Sequence, residues 1–192
     1  MPLKLAIFIS GRGSNMLSIL KACEDPDYPA QIQLVLSNRP DAAGLKVAQE
    51  KGIPTEVIDH KACDSRGDFE EQLSGCLKNY DIDLIVLAGF MRIMSTGFVE
   101  QWPERIINIH PSLLPEYKGV HPHERAIKDG KTESGCTVHY VIPELDSGPI
   151  VGQKRVPILP EDTPDTLADR ILVQEHILYP EAIKNIAASK NK

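Results

Sequence analysis

The sequence predicts an α/β fold: a mostly parallel central sheet with helices on both faces and an antiparallel extension near the C-terminus. Three observations predict it. Short apolar runs alternate with helical patterns over the first hundred residues or so, which is the rhythm of βαβ units. The first of these runs passes through a glycine turn straight into a helix. Finally, residues 136–142 and 149–158 read as two strands joined by Pro-Glu-Leu-Asp-Ser-Gly-Pro, a return that pairs them antiparallel.

Residues 3–9, Leu-Lys-Leu-Ala-Ile-Phe-Ile, form the first strand, and Ser-Gly-Arg-Gly-Ser-Asn leads from it into a helix over 16–22. Gly11 and Gly13 allow a tight turn, and the helix N-terminus behind them offers unpaired N–H groups to an anion such as a phosphate. The turn completes neither nucleotide fingerprint: Met16 stands at the third-glycine position of G-x-G-x-x-G, and no Gly-Lys-Ser/Thr follows. Two readings stand on the residues alone, an anion site or a structural turn with Ser14 as the helix cap. The second strand (32–37) ends in Ser37, Asn38 and Arg39 without the acidic residue that a dinucleotide ribose requires.

A helix over 42–51 and a strand over 55–58 complete the second unit, and an amphipathic helix over 68–79 follows Arg66. Residues 84–89 are a buried parallel strand whose end runs into Phe90-Met-Arg-Ile-Met, apolar residues that either line a pocket for a flat heterocycle or fill the core beneath a loop. A short helix near 96–101 precedes the strand Ile106-Ile-Asn-Ile-His110. Side chains alternate along a strand, so Asn108 and His110 share one face while Ile107 and Ile109 pack on the other. A loop to about residue 122 and a helix over 124–129 follow, and a final helix over 164–188 carries Pro180 as a kink or break. The H-x-H pair of His121 and His123 lacks a third ligand at a recognisable spacing and reads as loop histidines near an anion rather than a metal site.

Composition narrows the function. The chain has 192 residues, 42% apolar and 25% charged, with no repeat, low-complexity tract or interdomain linker, so a single domain over 1–192 is expected. A net charge of −6 argues against tight nucleic-acid binding. Cys23, Cys63, Cys76 and Cys136 fit no metal or redox spacing, and no signal peptide precedes the first strand, so a reduced, cytoplasmic setting is expected, without membrane association.

Four stretches in order, Gly11-Arg-Gly-Ser-Asn15, Leu87-Ala-Gly-Phe-Met-Arg92, Asn108-Ile-His-Pro-Ser-Leu-Leu-Pro115 and Glu144-Leu-Asp-Ser-Gly-Pro149, resemble the folate-dependent formyltransferase family, with its Rossmann-like sheet, over essentially the whole chain. The resemblance implies transfer of a formyl group from 10-formyltetrahydrofolate, as co-substrate and without a metal, to the amine of glycinamide ribonucleotide. It assigns the ribonucleotide to Gly13, Ser14, Asn15, Met16 and Glu175. The folate falls to Arg66, Met91, Arg92, Ile93, Met94 and Asn108, with Leu87, Phe90 and Val141 as apolar contacts. It also implies a cis Leu114–Pro115 bond, although the residues themselves permit trans equally. Leu172 departs from the family pattern, standing where some relatives place a polar residue near the ribonucleotide.

The implied chemistry is direct attack of an amine on a formyl carbon, which requires donors for a tetrahedral oxyanion and a manager of protons. Asn108, His110 and Asp146 are the implied catalytic residues: amide donor, donor and acid, and the carboxylate that orients the imidazole. Rival readings are a hydrolase of formyltetrahydrofolate, a transferase acting on charged tRNA, which would carry an additional RNA-binding domain, and a non-catalytic nucleotide- or folate-binding module. A monomer and a homodimer are equally compatible with the sequence.

Overall fold

The structure, a computed structural model, describes residues 1–190. Five strands run parallel: β1 (Leu3–Ile9), β2 (Ala30–Ser37), β3 (Thr55–Val57), β4 (Leu84–Leu87) and β5 (Ile106–His110). Two more, β6 (Glu133–Tyr140) and β7 (Ile150–Pro157), extend the sheet antiparallel beyond β5. Their order in space is β3-β2-β1-β4-β5-β6-β7. The chain therefore changes direction across the sheet between β1 and β4, and in open α/β sheets the ligand crevice lies outside the carboxyl ends of the strands at such a point.

Each central strand is buried on both faces, as expected for parallel strands under helices. On β1, Leu5, Ile7 and Ile9 join one core and Ala6 and Phe8 the other. The first core is covered by α1 (Ser14–Ala22), α2 (Ala43–Glu50) and α6 (Pro164–Lys190), which contribute Met16, Ile19, Leu45, Ala48 and a long row from Leu167 to Ala187. The second is covered by α3 (Arg66–Leu77) and α4 (Thr96–Val99), through Phe69, Leu73, Leu77, Phe98 and Val99. α5 (Pro122–Lys128) packs against α6.

Several boundaries differ from those read off the sequence. α3 starts two residues earlier than expected because Ser65 caps it, its hydroxyl accepting from the Asp68 amide at 3.1 Å. Ser14 is not a cap: it is the first helical residue of α1, and the cap position is Gly13, with φ 72° and ψ 34° and no side-chain bond. β6 begins at Glu133, ahead of the expected Cys136. Pro180 does not break α6, which runs unbroken from Pro164 to Lys190. An interior proline costs a helix about 3 kcal/mol, and the buried Leu178, Tyr179, Ala182 and Ile183 around it supply compensating packing. The Leu114–Pro115 bond is cis.

Candidate active site

At the end of β1 the chain turns through Gly11 and Gly13 into α1. The first i→i−4 bond of that helix is Leu17 N–H to Gly13 C=O at 2.9 Å, so the amides of Ser14, Asn15 and Met16 have no partner within the helix. Gly11 and Arg12 are exposed and Ser14 partly so, which leaves the turn open to solvent. The close helix approach that a third glycine would give is supplied from elsewhere in sequence. The Gly44 amide on α2 donates to the Gly11 carbonyl at 3.1 Å, and a Cβ at Gly44 would lie 2.7 Å from Ile9 Cδ1 and 3.2 Å from the Arg12 carbonyl oxygen.

Behind the turn, Asn15 Nδ2 donates to Glu175 Oε2 at 2.7 Å, joining α1 to α6. Burial pushes the Glu175 carboxyl above its ordinary range, against the opposing pull of the Asn15 bond. Asn15 Oδ1 is buried without a partner, an acceptor left for a donor on a bound molecule.

Beside β4 and β5 lies a cavity of about 370 Å³, within the range of small-molecule sites. Leu87 and Val141 form part of its apolar lining, Met91 to Met94 one wall, and Ile142 to Asp146 the other. Met91 and Ile93 are 79% and 60% exposed, a concentration of apolar surface at a cavity rim that marks a place for a ligand. Met94 turns inward and is also core, so both readings of this loop hold for different residues of it.

The polar side chains meet where the antiparallel extension begins. Antiparallel pairing sets Asn108 of β5 directly opposite His139 of β6, with Asn108 Nδ2 3.4 Å from His139 Nε2. Asp146 reaches in from the β6–β7 connection: its Oδ2 is 3.5 Å from His110 Nδ1 and accepts the Gly119 amide at 2.9 Å, and its Oδ1 is 3.6 Å from His139 Nε2. The Asp146 side chain is only 7% exposed, and its backbone sits at φ 48°, the left-handed region that L-residues rarely occupy. Two residues on, Gly148 permits this bend, because a Cβ there would fall 1.8 Å from the Tyr140 carbonyl oxygen.

The two histidines are held differently. Burial lowers the affinity of His139 for a second proton, outweighing the Tyr140 carbonyl and Asp146, which both favour the charged ring. Its Nδ1 lies 2.9 Å from the Tyr140 carbonyl and must donate there, so Nε2 is the acceptor that Asn108 meets. His110 Nε2 donates to the Tyr117 carbonyl at 2.9 Å while its Nδ1 faces Asp146.

Among the residues singled out from the sequence, the structure brings Asn108, Asp146, Leu87, Phe90, Val141 and Met91 to Met94 to one cavity, and Gly13, Ser14, Asn15, Met16 and Glu175 to one turn. His110 is 6% exposed and is not part of the cavity lining; its Nδ1 faces Asp146, which is, and its Nε2 faces the Tyr117 carbonyl. Arg66 is exposed at the first turn of α3 and is not part of the lining either; the arginine at the wall is Arg92, stacked 5.1 Å over Phe69. His121 caps α5 at φ 54°, and among the described residues no group of three or more metal-ligating side chains occurs. His139 was not foreseen: the sequence places it on a strand, but only the β5–β6 register sets it against Asn108.

Comparison with known proteins bears on these features. A family model described as formyl transferase matches residues 3–183. The chain is 40% identical to the phosphoribosylglycinamide formyltransferase of Escherichia coli (strain K12) over 190 residues, 99% of this chain and 90% of that protein. It is 43% identical over 185 residues to the human trifunctional purine biosynthetic protein adenosine-3; that match takes in 96% of this chain and only 18% of the relative, so the chain spans less than a fifth of that protein. Among solved structures, the phosphoribosylglycinamide formyltransferase of Brucella melitensis superposes with a TM-score of 0.94 at 44% identity, covering 98% of this chain and 97% of that one. The enzyme of the same name from Coxiella burnetii gives 0.93 at 48% identity, covering 98% and 89%.

Proposed function

The chain belongs to the formyl transferase family, and from that premise we propose that it transfers the formyl group of 10-formyltetrahydrofolate to the amine of glycinamide ribonucleotide. The observation that carries the proposal is the Asp146 carboxylate, within 3.6 Å of both His110 and His139 at the edge of an apolar cavity that Asn108 also lines. An exposed binding module has no need of such a buried, strained carboxylate.

In this reading the pterin lies in the cavity between Leu87, Val141 and the two walls. The single phosphate of the ribonucleotide takes the amides of Ser14, Asn15 and Met16, and Glu175 meets its ribose or glycinamide part. The amine attacks the formyl carbon, a tetrahedral oxyanion forms, the attacking nitrogen releases a proton, and the carbon–nitrogen bond to the folate breaks as the folate nitrogen takes one, so the proton count balances. Asn108 Nδ2 donates to the oxyanion, with its amide oriented by the acceptor nitrogen of His139. His110 is the proton donor, and Asp146 behind Nδ1 orients the ring and stabilises the imidazolium when it forms. The Tyr117 carbonyl now holds the Nε2 proton, so it occupies the position of an acceptor oxygen and yields to substrate. Donors aimed at such an oxyanion are worth roughly 3–4 kcal/mol each.

Residues 1–192 act as one domain, a monomer or homodimer, on small molecules in a reduced, cytoplasmic setting and not on nucleic acid; the net charge of −6 and four unpaired cysteines support this. No helix of the described residues is long and apolar enough to cross a membrane. The test is to supply formyl-folate with and without the ribonucleotide and measure deformylated folate. Product only with the ribonucleotide is expected. Product in both cases makes the protein a hydrolase, and product in neither makes it a binder.

A further inference from the structure

The cavity wall from Phe90 to Met94 has no secondary structure, and its main chain makes one hydrogen bond among the described residues: the Met91 amide donates to Ser10 Oγ at 2.8 Å. Ser10 is the last residue before the glycine turn and only 4% exposed. Its hydroxyl donates in turn to Asn38 Oδ1 at 2.5 Å, at the end of β2, and Asn38 is 1% exposed. The His60 ring closes the chain from the far side, with Nδ1 2.8 Å from the Asn38 carbonyl and 3.1 Å from Asn38 Nδ2. A serine hydroxyl free to rotate is an indifferent acceptor; one whose proton is committed to a buried amide oxygen presents its lone pairs in a fixed direction. Among the side chains of the wall, Phe90 rests on Phe8 with ring centroids 5.3 Å apart, Arg92 stacks over Phe69 and Met94 is buried, whereas Met91, whose amide makes this bond, and Ile93 are exposed and do not anchor the main chain.

We propose that Ser10 is a positioning residue: its hydroxyl, held by Asn38, fixes the Met91 amide and with it the wall against which the folate packs. The inference rests on the folate reading above and adds to it a link between the two halves of the crevice, because Ser10 also begins the turn that takes the anion. The wall touches one substrate and not the reacting atoms, so its loosening weakens folate capture and spares the chemical step.

The test is Ser10→Ala with formyl-folate varied at saturating ribonucleotide. Losing one buried acceptor is expected to raise the folate KM roughly tenfold with kcat held within about twofold, and hydrogen exchange at the Met91 amide should accelerate whether or not substrate is present. If that variant does not fold, Asn38→Ala leaves the acceptor in place but unheld, and a rise of about threefold in folate KM is expected from it. A folded Ser10→Ala protein with unchanged folate KM and unchanged Met91 exchange overturns the proposal, as does a fall in kcat at constant KM. Wild-type protein that releases no formyl group from folate refutes the functional reading instead, and the exchange measurement still judges the hydrogen-bond chain by itself.

Discussion

The two halves of the crevice are built from different materials. The glycine turn is made of main chain: amides of Ser14 to Met16 at a helix start, a left-handed Gly13, and Gly44 pressed onto the Gly11 and Arg12 carbonyls. The group around Asp146 is made of side chains from β5, β6 and the β6–β7 connection, converging from residues up to 38 apart in sequence. A site made of backbone tolerates changes of side-chain chemistry and fails when a Cβ fills its space. A site made of side chains does the reverse, failing when one functional group changes even though the fold survives.

The sharpest challenge to this contrast is Asp146→Asn, which keeps the shape and an acceptor for the Gly119 amide while removing the charge. A fall in kcat of two to three orders of magnitude, worth roughly 3–4 kcal/mol, should accompany an unchanged circular dichroism spectrum. Near-normal turnover would take Asp146 out of the chemistry. His110→Ala comes next, with kcat down at least about a hundredfold as expected for a lost acid and ribonucleotide KM nearly unchanged; the opposite split would assign this ring to binding.

On the backbone side, Gly44→Ala adds one methyl group 2.7 Å from Ile9 Cδ1. Overpacking of that kind costs about 1–3 kcal/mol, and here it should appear as a lower unfolding midpoint and weaker ribonucleotide binding, with kcat at saturation retained. Tyr179→Phe tests the support shared by both halves: the buried hydroxyl donates to the Leu87 carbonyl at 2.8 Å and lies 3.3 Å from that of Ile107. Its loss should cost about 1–2 kcal/mol in denaturant unfolding with a minor change in turnover.

The smallest expected effect is a pH dependence. Burial raises the Glu175 carboxyl, so the native state holds a proton that the unfolded chain has released. Its contribution is therefore complete below the unfolded value, near ~4.3, and is lost as pH rises through the higher native value. Glu175→Gln can keep the Asn15 bond and removes the titration, so its melting temperature should fall less than that of wild type across this window. Parallel melting curves for the two proteins would mean that Glu175 does not contribute there.

Legibility in the sequence followed the same division. Strands and helices that bury apolar faces announce themselves by period, and β1, β4, β5 and the helix pattern were readable on that ground alone. β6 began too late in that reading because Glu133, Ser134 and Gly135 are poor strand formers. Gly135 is nevertheless in the strand, where a Cβ would sit 2.0 Å from the Lys154 carbonyl oxygen and a larger residue has no room. Pro180 pointed to a kink or a break, and tertiary packing keeps the helix unbroken. His139 was invisible because its meaning lies in register, which no single strand encodes. The family resemblance points to Asn108, His110 and Asp146 together, and the structure brings Asn108 and Asp146 to one cavity; the burial of His110 against the Tyr117 carbonyl was not legible, since it depends on where that carbonyl comes to rest.

Gly148 bears on any attempt to transplant this chemistry. An engineer copying the two histidines, the amide and the carboxylate onto another scaffold would reproduce the functional groups and still miss the hairpin bend that presents Asp146, because no side chain fits between residue 148 and the Tyr140 carbonyl oxygen. The portable unit is thus the whole six-residue bend from Glu144 to Pro149, and a single hydrogen atom in place of a methyl group is part of its specification.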